Sequence, residues 1–259
     1  MAVFKRRIRP EPWSRHRQRA KHPWLVPLYA FEWGWSWLAY WLSGWAFLEV
    51  LEYLGTLSLL LAVISYFSES GDRLKQKHYQ AWQVINTAQG KGGSGGRLEA
   101  MQELNHDGVP LVGVDVSGAF LQSIRLPNAR LRRSDFSAAD VRNSDLEAAD
   151  LQDSNLHSAN FRQSNFREAS LTGAQMDDAD FSGADFSKAN LSGTVLDNAD
   201  LRLASLKDSN WNDIRSIKGA NLYGLHDAPA GFIDWALKQG AVQMQSDDQW
   251  ENWRQAQKQ

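Results

Sequence analysis

The chain has 259 residues, a formal net charge of −2 and no cysteine. That length fits one large domain with appendages; the missing cysteines exclude a disulfide framework, a thiol nucleophile and a cysteine metal site. Charge and aromatics are uneven: residues 1–23 carry eight Lys or Arg against one Glu, and seven of the twelve Trp lie between Trp13 and Trp45.

In chain order, residues 1–23 form a basic arm with Pro10 and Pro12, expected to be poorly ordered and to flank a membrane segment. From Trp24 to Phe67 the only charges are Glu32, Glu49 and Glu52. This is too long for one span of about 20 residues, and too long for the apolar part of a signal peptide. One reading is a transmembrane helical hairpin, Trp24–Leu42 and Trp45–Phe67, turning at Ser43-Gly44. The other is a single span that buries Glu49 and Glu52 at roughly 2.5–3.5 kcal/mol each. Cost favours the hairpin. So does charge, since Lys and Arg occur on both outer flanks. Against it stand Trp33, Trp37, Trp41 and Trp45, a stripe that suits one helix lying in the interface.

Residues 68–108 hold three features. Asp72–Ala88 reads as a helix with Leu74, Tyr79, Trp82, Ile85 and Ala88 on one side. His78 on it has no partner at ligand spacing and reads as a surface residue. Gly90 to Arg97 is a Gly-rich linker; a phosphate-cradling loop would need the Lys-Ser/Thr ending that is missing. Leu98–Leu104 is a short helix expected to plug the next element and to cover Phe120, because solenoid ends need caps.

From Val109 to Trp211 one pattern returns every five positions. A large apolar centre, as in Leu111, Val116, Leu121 and so on to Trp211, is preceded two residues earlier by a small or β-branched residue, most often Ala or Ser. Helices need a period near 3.6 and strands a period of 2, so this is a repeat architecture. The small residue and the centre face the same way in extended chain, and the chain must bend once per repeat to keep each pair inside. Asp or Asn precedes the centre in 13 of 21 repeats, which suits side-chain bonds to nearby backbone in turns. Phe120 and Val195 depart from this.

The run Ala149-Asp150-Leu151-Gln152-Asp153 and Ser154-Asn155-Leu156-His157-Ser158 resembles the pentapeptide-repeat family. The resemblance implies a mainly β fold, a right-handed quadrilateral β-helix over 109–224 with four pentapeptides per coil. Residues 20 apart would then stack, Phe161 over Phe181 and Phe166 over Phe186. After Trp211 the register slips by one, with Ile217 and Leu222 as last centres. Residues 225–259 read as a helical cap, with helices at Gly231–Lys238 and from Ser246 through Trp250 and Trp253. Those Trp also suit a dimer contact.

A rod filled by its own side chains has no substrate cavity, so no enzyme, cofactor or metal site is expected. The first functional reading is a membrane-anchored scaffold at the cytoplasmic face of a bacterial inner membrane, binding lipid through its helices and a protein partner through its faces. Arg142, Arg162 and Arg202 would share one stripe, and Asp177 and Asp197 another. The second is a DNA mimic that binds topoisomerases, for which some pentapeptide-repeat proteins are known. It needs a stronger negative charge than the net −5 of the rod; nucleic acid itself is not an expected partner. The third is a homo-oligomer conducting cations past Glu32, Glu49 and Glu52.

Overall fold

The computed structural model describes residues 8–20, 22–43, 46–87 and 94–257; the side chains of 46–49, 51–52, 67–72 and 257 lie outside that description. The chain divides into two compact units, Met1–Leu74 and Lys75–Gln259.

The first unit is helical. Residues of the basic arm are ordered: α1 (Trp13–Arg17) follows Pro12, and a 3₁₀ turn at Pro23–Leu25 leads into α2 (Val26–Leu42). Aromatic packing holds the described part of the arm. The Trp13 ring lies 5.6 Å from Trp33, Trp33 donates its indole N–H to the Glu11 carbonyl at 2.8 Å, and Arg9 sits 5.6 Å over Trp37. Part of the tryptophan stripe therefore holds this arm.

α3 (Ala46–Thr87) is a single helix of 42 residues that runs on into the second unit. α2 is capped at Ser43; the rest of the expected turn, Gly44 and Trp45, lies outside the described residues, and among the described residues α2 and α3 do not pack as a hairpin. Every described α3 side chain from Tyr53 to Tyr66 is exposed. Among the described residues no helix is long and apolar enough to cross a membrane. α2, at 17 residues, reaches only about 26 Å at 1.5 Å per residue, short of a hydrocarbon core of about 30 Å.

In the second unit the five-residue period becomes a square coil. Parallel bridges join residues 20 apart, from Asp115↔Asp135 to Asn190↔Asn210. Twenty residues at five per side make four sides. The centre and the small residue two before it are buried, as in Phe136 and Ser134, and the other three positions face outward. The β character is narrower than expected: pairing is by single-residue bridges, and no longer strand forms among the described residues. The reason is the bend at every side.

One repeat, Phe136–Asp140, accounts for all five backbone N–H groups. Phe136, Ala138 and Asp140 donate across coils to the carbonyls of Asn155, His157 and Ala119 at 2.8–2.9 Å, and Ala139 closes the turn onto Phe136. The Ser137 N–H has no backbone partner and donates to Asp135 Oδ1 at 2.8 Å. A buried or half-buried donor cannot be left unmet, so the residue before each centre is usually Asp or Asn. The same bond recurs at Asp115, Asn155, Asn165 and Asp180.

The second residue after each centre adopts positive φ, as in Gly118 (+61°) and Ala138 (+54°). This is the left-handed position of a type II turn. A Cβ on Gly118 would meet open space, so only backbone strain opposes one there. Gly118→Val is expected to cost roughly 1–2 kcal/mol in urea unfolding, while Ala138→Gly should cost nothing or stabilise.

The core stack forms as the resemblance implies. Phe161 lies on Phe181 at 5.5 Å and 7°, and Phe166 on Phe186 at 5.0 Å and 8°. The slip after Trp211 also appears: Val195 pairs with Ser216 and Asp200 with Asn221, 21 residues apart, and Ile217 and Leu222 are buried.

Helices close both ends. α4 (Arg97–His106) buries Ala100, Met101 and Leu104 on the first coil, and its Gln102 and Asn105 side chains bond Arg125 N and Pro127 O. It leaves Phe120 half exposed, so that residue is uncovered. The end of α3 packs here through Ala81 and Ile85, while Leu74 and Tyr79, expected on the same side, are exposed. α5 (Phe232–Lys238) covers Trp211 with Phe232, ring centroids 5.5 Å apart. α6 (Asp247–Gln257) buries Trp250, which donates to the Gly219 carbonyl at 3.0 Å. Trp250 thus serves the cap and is not free for a dimer contact.

Candidate interaction faces of the rod

The side positions of the coil stack into columns, so a face is read residue by residue at steps of 20. Arg142, Arg162 and Arg202 share one column, as expected, but they do not form a free stripe. Each leans on the adjacent column, where Asp140, Asp180 and Asp200 stand. Arg142 makes two bonds to Asp140 at 2.8 and 2.9 Å, and Arg162 lies 3.7 Å from Asp180. Arg202 is mostly covered: it bonds Asp200, pairs with Asp247 of α6 and stacks on Trp250 at 5.7 Å. The third member of the stripe is therefore part of the C-terminal cap. Periodicity could place these arginines in one column; it could not show that α6 returns to it.

The second stripe is also engaged. Asp177 contacts His157 Nδ1 at 2.6 Å, and Asp197 accepts from Lys218 N at 2.9 Å and from the Ser216 hydroxyl. His157, Asp177 and Asp178 bring three donor atoms within 4.8 Å of one another. Arg254 of α6 lies 3.8 Å from Asp178 and supplies positive charge there already.

The Arg142 guanidinium bonded to Asp140 holds that carboxyl below the usual carboxylate range. A depressed folded value gives stability that is present above about pH 3.9, the unfolded value, and lost as pH falls through the folded one. Asp140→Asn is accordingly expected to flatten the fall in Tm below about pH 4, as read by thermal melts from pH 7 to pH 2.5.

Of the intramembrane candidates, Glu32 is exposed and lies 4.0 Å from His16 of α1. The side chains of Glu49 and Glu52 lie outside the description, as do residues 90–93 of the Gly-rich linker. Two contacts escaped sequence reasoning. His78 bonds Asp107 at 2.8 Å, across 29 residues, and depresses that carboxyl. Arg97 is fully buried at the start of α4, and burial lowers its pKa. Neither has a local spacing to betray it.

The comparisons fall on the coil. The family of pentapeptide repeats matches residues 111–147, 144–183 and 184–210. This stretch is a pentapeptide-repeat domain. Among curated proteins none matches the chain. Among solved structures, a pentapeptide repeat protein of the Arabidopsis thaliana thylakoid lumen is 26% identical, covering 51% of this chain and 78% of that one, at a TM-score of 0.30. The pentapeptide repeat protein Rfr23 of the cyanobacterium Cyanothece 51142 is 21% identical over 57% of this chain and 99% of its own, at 0.34. QnrB1, a plasmid-mediated fluoroquinolone resistance protein, is 16% identical over 54% and 79%, at 0.29. The assignment of the pentapeptide-repeat domain rests on its repeats, not on these superpositions.

Proposed function

We propose that the chain is a membrane-anchored, non-enzymatic scaffold. Its apolar N-terminal helices hold it at the cytoplasmic face of a bacterial inner membrane, and the pentapeptide-repeat rod offers rigid outer faces to a protein partner. One observation carries the reading. On α3, Leu54, Leu57, Leu59, Leu60, Leu61 and Ile64 are all about half exposed or more and spread over more than half of the helix surface, with the uncharged Gly55, Ser58, Ala62 and Ser65 on the remaining side. A helix this broadly apolar and free of charge from Tyr53 to Tyr66 belongs inside a protein core or in lipid, and exposed apolar surface of this extent marks a membrane or partner contact. The rod, by contrast, keeps its apolar centres inside and leaves polar faces for recognition.

Because the chain has no cysteine, a single Ser137→Cys on the rod reports its side of the membrane. An impermeant thiol reagent should label it in inside-out vesicles and not in intact cells. Labelling in intact cells would contradict the cytoplasmic placement, and recovery of the protein in the soluble fraction would contradict the anchor.

A further inference from the structure

We infer that the start of the rod is a second membrane contact, a docking surface for anionic lipid headgroups; this rests on the membrane-anchored reading above. Between Val116 and Ser134 the chain has four Arg, at 125, 130, 132 and 133, and no Asp or Glu. From Asp135 to Trp211, fourteen Asp or Glu face six Lys or Arg. The rod is therefore polarised along its length, positive where it begins and negative beyond.

The coil fixes how these arginines are shown. Arg130 and Arg132 flank the buried Leu131, so both point outward from one side. Arg133 occupies the left-handed turn position after them, at φ +56°. Arg125 stands before the buried Leu126 on the preceding side. All four are exposed. One coil toward the start of the rod, their columns hold Pro110, Val112 and Gly113, none of them charged, and Val112 is half exposed.

These arginines differ from those deeper in the rod. Arg142 and Arg202 are clamped on aspartates. One coil further on, Arg125 and Arg130 are bridged through the backbone to Asp145 and Asp150, but only Arg132 comes within 4 Å of an acid, Asp150, at 3.9 Å. Among the described residues no acid pairs with Arg125, Arg130 or Arg133. Four like charges held on two adjacent sides by a rigid backbone favour an anionic surface. A bilayer fits better than a long polyanion such as nucleic acid. A planar surface touches the positive start alone, whereas a polyanion laid along the rod meets the acidic body.

The test uses the full-length protein in vesicles of zwitterionic lipid, with or without phosphatidylglycerol, and a quencher on the headgroups. A single fluorophore is placed at Pro127→Cys, between the arginines, or at Lys207→Cys, in the same column four coils on. Adding phosphatidylglycerol should increase quenching at 127 and not at 207. Each arginine is worth roughly five-fold in the docked-to-undocked ratio. R125Q/R130Q/R132Q/R133Q should then abolish the increase, high salt should reverse it, and the four Arg→Lys changes together should keep it. That last variant separates lost charge from lost fold. Vesicle-bound protein with equal quenching in both lipids, or a glutamine variant that behaves as wild type, overturns the docking surface alone. Protein that sediments with neither vesicle overturns the membrane reading and this inference with it. Duplex DNA that abolishes the increase in quenching at 127 while the protein stays on the vesicles overturns the lipid assignment.

Discussion

Phe161→Ala is expected to lower the stability of the rod by about 3–5 kcal/mol in urea unfolding. The ring is fully buried, stacked on Phe181 and edge-on to Phe166 at 5.2 Å, with Phe136 at 6.1 Å. The cost should lie at the high end for large-to-small changes because the surroundings cannot close. Backbone bonds between coils recur along every side, so no coil can settle into the hole without breaking them. Each coil also packs only on its neighbours, so no distant part of the core compensates. Phe120→Ala is the control. That ring is 55% exposed, and its loss should change stability by about 0.5 kcal/mol or less. A loss below about 1 kcal/mol for Phe161→Ala would mean that the ladder is not a packed core.

Leu104→Asp should be more damaging, because it acts on the whole end of the rod. Leu104 is fully buried on the first coil, beside Met101 and Leu111. A carboxylate there has no partner, and an unpaired buried charge costs several kcal/mol. The cheaper outcome is for α4 to lift, which would uncover the apolar end and the unpaired edge of the first coil. Such an edge is a template for pairing with another chain. Hydrogen exchange should report fast exchange for Leu111, Val116 and Ala119, with Phe161 and Phe181 still protected, and size measurements should show self-association. A variant with wild-type protection at Leu111 would show that α4 does not cap the coil.

How far the sequence reaches depends on whether a feature repeats. The coil was legible because one rule, a small or β-branched residue two before a large apolar one, is restated at every fifth step. The register slip at Trp211 was legible as a break in that rule. The Asp or Asn before each centre was readable as a turn residue, though not as the partner of the one N–H the coil leaves over. The left-handed position went unnoticed, yet it had a signal. Gly, Asn or Asp fills 12 of the 21 positions two after a centre, and no β-branched residue does. That is the composition a positive φ demands.

Single events were not legible. The His78–Asp107 bond and the burial of Arg97 depend on how α3 and α4 meet, which no period encodes. Arg202 looked like a surface residue because its own repeat says so; α6, more than forty residues later in the chain, covers it. In the N-terminal unit, composition identified an apolar stretch, but apolarity alone does not distinguish a packed hairpin from a helix with all its sides exposed. The described part of the arm is held by Trp13 meeting Trp33, a contact that charge counting does not reveal.

The most direct test is flotation of the full-length protein with vesicles, comparing wild type with the double change Leu60→Asp and Ile64→Asp on α3. The account predicts that wild type rises with the lipid, that the variant stays at the bottom of the gradient, and that both melt at the same temperature because the rod is untouched. If wild type stays at the bottom, or if both float alike, the apolar helix is not what holds this protein to a membrane.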